Sequence, residues 1–142
     1  MLLGMFALLH AVAQAGPIHE AAESGDEALL AQLLAAGTAP DERTLELQVT
    51  ALHIAARHGH TALMAKLLAA GADPNSVDTQ GWTALHEAAG EGHPAAVQLL
   101  LAAGTDLTVQ NTDSQTALQY AAKCLLLSTE QCCIRFLYPF DC

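Results

Sequence analysis

Apolar residues along this chain come in short helical stripes, each cut off by a glycine. Between Thr50 and Asn75, Leu52, Ala55 and Ala56 fall on one helical face, and Gly59 ends the run. Apolar positions three and four apart mark an amphipathic helix. Thr50 can cap its start, and Gly59 can take the left-handed backbone that stops it. A second stripe follows, formed by Leu63, Met64, Leu67 and Leu68 and closed by Gly71. The next residues, ADPNSVDTQGW, are rich in Pro, Asn, Asp and Gly and predict turns. The unit is two short helices and a turning connection.

The same pattern returns along the chain. Thr50, Thr83 and Thr116 are spaced 33 apart, and each is followed by Ala-Leu. Ala55-Ala56, Ala88-Ala89 and Ala121-Ala122 keep step. Residues 16–37, GPIHEAAESGDEALLAQLLAAG, fit the same frame with one extra residue in the connection before Thr50. Pro94 opens the second helix of its unit, where a missing N–H is harmless. The chain divides into 1–15, then units at 16–49, 50–82 and 83–115, then an atypical unit and cap at 116–142. One helix pair of this size cannot bury its own apolar face, but stacked copies cover one another.

These residues resemble the ankyrin-repeat family. DTQGWTALHEAAGEGH at 78–93 follows the family motif nearly throughout, with Ala84 in place of proline, and LLAAGADPN at 67–75 matches the motif's end. The resemblance covers about residues 16–123. It implies an all-α solenoid of about four helix-turn-helix units with short hairpin fingers. Gln48 and Ser114 stand where the finger glycine belongs, so their fingers are expected to be less regular than the one at Gly81. The fourth unit departs after Lys123, where no Gly-His turn follows. Ser128 and Gln131 form a capping box, which predicts a modified last helix ending before Pro139. That tail also fits the end of a longer pattern.

Charge and composition narrow the function. Asp and Glu number 15 against 5 Lys and Arg, a formal net charge of −10. That balance argues against nucleic acid, whose phosphates need clustered cations. It also argues against docking on an anionic membrane and favours a partner with a basic surface. Residues 1–15, MLLGMFALLHAVAQA, carry no formal side-chain charge. The run is too short to span a bilayer, and Ala13-Gln14-Ala15 offers a small-x-small cleavage pattern. An export signal is the reading adopted, with a periplasmic or secreted mature chain. The alternative is a cytoplasmic protein whose residues 1–15 cap the first repeat. Cys124, Cys132, Cys133 and Cys142 allow three disulfide connectivities. Free buried thiols are the simpler reading.

Candidate chemistry is sparse. His19, His53 and His86 share one repeat position, and the resemblance implies that they tie backbone turns together rather than hold metal. His60 and His93 sit in Gly-His turns, and His58-Gly59-His60 has no adjacent third ligand. GEGHPA at 90–95 is only a loose dinucleotide motif, because a helix rather than a strand precedes it. Cys132 and Cys133 lack the spacing of a zinc pair. Asn75 resembles the asparagine hydroxylated in some animal ankyrin repeats, but the motif's turn asparagine is the plainer reading. No catalytic motif, metal or cofactor is expected.

The resemblance places a protein partner on the finger tips and the open side of each first helix. These positions are Leu47, Val49, Arg57 and His58; Thr79, Gln80, Trp82, Gly90 and Glu91; and Thr112, Asp113, Gln115 and Lys123. Glu23 and Ser24 add the first unit's share. Trp82, the single tryptophan, is the leading anchor. Packing of Trp82 against the next finger is the structural alternative. Glu87, Glu91, Asp78 and Asp113 are expected to make the groove acidic. The sequence thus reads as a non-enzymatic, monomeric binding module that is exported. An intracellular adaptor is one alternative. A redox- or metal-responsive regulator using the four cysteines is another.

Overall fold

The computed structural model describes residues 16–127. The expectations for residues 1–15, for the helix after Ser128, and for Cys132, Cys133 and Cys142 lie outside them. Three helix pairs and a seventh helix follow in order. They are α1 (Pro17–Ser24) with α2 (Glu27–Ala35), α3 (Ala51–His58) with α4 (Thr61–Ala69), α5 (Ala84–Glu91) with α6 (Pro94–Ala102), and α7 (Ala117–Leu127). The first helices α1, α3, α5 and α7 stack into an inner layer, and α2, α4 and α6 stack into an outer one.

Local chemistry sets these bounds. At Thr50 the backbone is extended, and His53, three residues on, turns back to cap it. Thr83 and His86 repeat the device. Asp26 caps α2 by accepting from the Leu29 N–H at 2.9 Å. At the end of α3, Gly59 takes a φ of 73°. This lets the His60 N–H reach back to the Ala55 carbonyl at 2.9 Å, closing the last turn. Gly59 is also needed for space, since a Cβ there would lie 2.7 Å from the His93 ring. In the fourth unit the same slot holds Leu125, and α7 runs on to 11 residues where α3 and α5 have 8.

One continuous core runs from Ile18 to Ala121. Ala21, Ala22, Ala55, Ala56, Ala88 and Ala89 are fully buried, so the inner helices approach closely. Leu52, Leu63, Met64, Leu67, Leu85, Val97 and Leu100 fill the space between layers. Truncating one such leucine to alanine costs about 2–5 kcal/mol.

Three hairpin fingers project from the connections. In the second, the Asp78 N–H donates to the Trp82 carbonyl at 3.0 Å. In the third, the Asn111 N–H donates to the Gln115 carbonyl at 3.0 Å. Side chains staple both: Asp78 Oδ1 accepts from the Gln80 and Trp82 N–H groups, and Asn111 Oδ1 from those of Asp113 and Gln115. The expectation of less regular fingers is not met at Ser114, and at Gln48 it is met in length but not in the turn itself. Both residues take the left-handed backbone of Gly81, with φ of 55° and 59° against 74°. Asn111 Oδ1 holds the turn at Ser114, and in the first finger Thr44 Oγ1 accepts from the Val49 N–H at 3.0 Å while Gln48 Nε2 donates to the Thr44 carbonyl at 3.0 Å. The first finger is instead longer by one residue. Its closing bond joins Thr44 to Val49, so the extra residue in the connection is absorbed at its tip. The tip exposes Leu45 (78%) and Leu47 (53%).

Candidate functional site: the groove beside the second finger

The groove is built from a pairing rule between successive units. A residue near the end of one inner helix meets a residue in the middle of the next, 30 positions later. Between the second and third units the pair is Arg57 and Glu87. Arg57 Nη2 donates to Glu87 Oε1 at 2.6 Å, and Nε donates to Oε2 at 3.0 Å. Glu87 is only 7% exposed, while the Arg57 side chain keeps 47% of its surface. The hydrogen bond to Glu87 raises the Arg57 pKa, and the fields of Glu87, Glu91 and Asp78 add to it. Between the third and fourth units the same slots hold Gly90 and Tyr120. A Cβ on Gly90 would collide with the Tyr120 ring, so glycine is what admits the tyrosine.

Trp82 then closes the site. Its ring meets Tyr120 edge to face with centroids 4.5 Å apart, and His86 at 5.8 Å. Such aromatic pairs contribute about 0.5–1.5 kcal/mol beyond their buried area. Trp82 therefore packs on the inner helices α5 and α7. It still lines the groove, a space of about 420 Å³ with Tyr120 beside it. Leu47, Val49 and Gln80 form the finger wall, and Arg57, Asp78, Glu87 and Glu91 supply the charge. The expected acidity holds in part, because Arg57 neutralises Glu87 and leaves Asp78 and Glu91.

Of the residues anticipated for a partner, Leu47, Val49, Arg57, Gln80, Trp82 and Glu91 come together here. Val49 is buried, and its carbonyl accepts from His19 Nε2 at 3.1 Å. Thr79 is exposed on the finger, with its N–H bound to the Leu47 carbonyl at 3.0 Å. Gly90 lies beneath Tyr120. Thr112, Asp113 and Gln115 belong to the third finger, outside the groove lining. Thr112 donates its N–H to the Gln80 carbonyl at 2.8 Å. His58 is exposed and stacks on His60, with centroids 5.7 Å apart. Lys123 and Cys124 fall within α7. Tyr120 went unanticipated. It occupies the same repeat slot as Glu87, and that shared slot was the available signal.

The frame around the groove is tightly tied. His53 Nδ1 accepts from the Thr50 N–H at 3.3 Å, so the ring proton sits on Nε2 and donates to the Trp82 carbonyl at 2.9 Å. His86 repeats this, accepting from the Thr83 N–H and donating to the Gln115 carbonyl at 3.0 Å. Burial lowers the pKa of both rings from the ordinary 6.5, and their backbone hydrogen bonds offset this only partly. Asn75 ties the outer loops, with Oδ1 accepting from the Asp106 N–H at 2.7 Å. Among the described residues no group of three or more His, Cys, Asp or Glu is placed to hold a metal ion. No helix among them is long and apolar enough to cross a membrane.

The family model for ankyrin repeats, in three copies, matches residues 18–111. That is well over half of the chain, and the helix pairs and fingers agree with it. The protein belongs to the ankyrin-repeat family, whose repeats are generally modules for protein–protein interaction. No match was found among curated proteins.

Proposed function

We propose that this chain is a non-enzymatic binding module that holds a protein partner in the groove beside its second finger. The observation that carries this reading is the meeting of Leu47, Gln80, Trp82, Arg57, Glu91 and Tyr120 around one space. Partly exposed aromatic and arginine side chains of this kind are enriched among the residues that dominate binding energy at protein interfaces. The frame is prepaid in folding. Histidine bonds hold the fingers from below, and Thr79 and Thr112 link finger to finger. Little ordering cost then remains at the moment of binding. The groove's acid–base groups also have structural employment. Glu87 is committed to Arg57, and both ring nitrogens of His86 are engaged.

A photo-crosslinking residue placed at Gln80 tests this, with one at Gln98 on the exposed face of α6 as control. Expressed in its own host, the chain should capture the same partner from Gln80 and not from Gln98. Equal capture from both, or capture from Gln98 alone, overturns the reading.

We also read residues 1–15 as an export signal, on the strength of their uncharged apolar run and the Ala13-Gln14-Ala15 pattern. An intact mass lacking these residues is the expected result. A full-length mass would favour an intracellular adaptor.

A further inference from the structure

Charge at the groove is unbalanced in a specific way. Arg57 faces three carboxylates, Asp78, Glu87 and Glu91. Its Nε and Nη2 edges are both given to Glu87. Two other cations are engaged elsewhere: Lys66 pairs with Glu27 at 2.9 Å, and Arg43 Nη1 donates to the Val77 carbonyl at 2.8 Å. Asp78 Oδ1 accepts two backbone N–H groups, which hold the carboxylate in place without cancelling its charge. Two rings, Trp82 and Tyr120, border the same space. Aromatic faces attract cations, most strongly where water is partly excluded. Leu45 and Leu47 stand exposed on the neighbouring finger.

We propose that the groove receives a lysine or arginine side chain from an extended segment of the partner, with an adjacent apolar residue resting on Leu45 and Leu47. This rests on the groove being the binding surface, as argued above. The chain already shows a guanidinium lodged at this place, that of Arg57, so a second cation meets the two carboxylates that Arg57 does not pair with. An anionic occupant would compete with Glu87 for Arg57 while facing Asp78 and Glu91. A purely apolar occupant would strip water from both carboxylates with nothing to replace it.

The test pans the full chain against a displayed library of random peptides. Synthetic copies of the winners are then titrated while the single tryptophan's fluorescence is followed. The decisive variant is Asp78→Asn with Glu91→Gln. Asn111 serves the same staple in the third finger, so asparagine suits position 78, and Glu91 is exposed. An unchanged melting curve confirms that the variant folds. Winners should carry Lys or Arg beside an aliphatic residue, and should bind the double variant about tenfold more weakly with a shallower salt dependence. Winners lacking cations, or binding both proteins equally, overturn the proposal while leaving a groove that binds protein. Peptides that bind without moving the Trp82 signal overturn the groove reading itself. Spermidine saturating the groove as tightly as the best peptide overturns the choice of a polypeptide occupant.

Discussion

The Nε2–H of His53 donates to the carbonyl of Trp82 at 2.9 Å, tying the inner helix of a unit to the finger that ends it. A buried ring thus sets the height of the finger residue that borders the groove. His86 does the same for Gln115 at 3.0 Å. Both rings must be neutral to do so, because Nδ1 has to accept from a backbone N–H.

That requirement gives stability a pH dependence. Burial holds both folded-state values below the 6.5 of an unfolded histidine. Between those values the unfolded chain binds protons that the folded chain refuses. The stabilisation is therefore present in full above about pH 6.5 and is lost as pH falls from there through the lower folded values. Urea melts across this range should show a falling midpoint. His86→Gln should be less stable above the range and flatter within it. An unchanged slope in that variant would assign the effect to other groups.

The backbone of the fingers offers a second check. Gln48 and Ser114 sit at φ of 55° and 59°, where a Cβ is disfavoured. Replacing Ser114 by glycine should stabilise the chain by about 0.5–1 kcal/mol, read by the urea midpoint. Gln48→Gly should gain less, since it loses the Gln48 bond to the Thr44 carbonyl. Gly81→Ala should go the other way, because its Cβ would lie 3.0 Å from the Asn111 Cα.

Gly90 is where packing and site meet. Its substitution by valine should displace the Tyr120 ring and separate it from Trp82. Near-ultraviolet dichroism and the tryptophan emission should both change, and stability should fall by about 1–3 kcal/mol. An unaltered tryptophan signal would mean that the two rings are not coupled through this residue.

Arg57→Ala should leave Glu87 nearly buried without a counter-charge. Half of the arginine is solvated, so the loss should be about 1–2 kcal/mol, below that of a fully buried pair. Adding Glu87→Gln should recover part of it, as a thermal double-mutant cycle would show. Strict additivity of the two losses would deny the pairing.

The fold was legible because its signals recur. Threonine caps, glycine stops and paired alanines at a spacing of 33 leave little room for another architecture. The groove was legible only in part. Trp82, Arg57 and Gln80 could be placed by repeat position, but pairing Arg57 with Glu87 requires knowing which slots face across a boundary. Tyr120 was missed for the same reason, since its contact depends on Gly90 in the preceding unit. The glycine-like turns at Gln48 and Ser114 were hidden because local preference argues against them. Their left-handed strain of about 1–2 kcal/mol is offset only by several bonds together, each of about 0.5–1.5 kcal/mol, that close each turn.

On the proposed function, a partner occupies the groove side of the stack. Hydrogen exchange of the full chain, alone and with the partner captured at Gln80, tests it most directly. New protection is expected in residues 44–49 and 78–82 and along α5, with α4 and α6 unchanged on their outer faces. Protection confined to α2, α4 and α6 would contradict it.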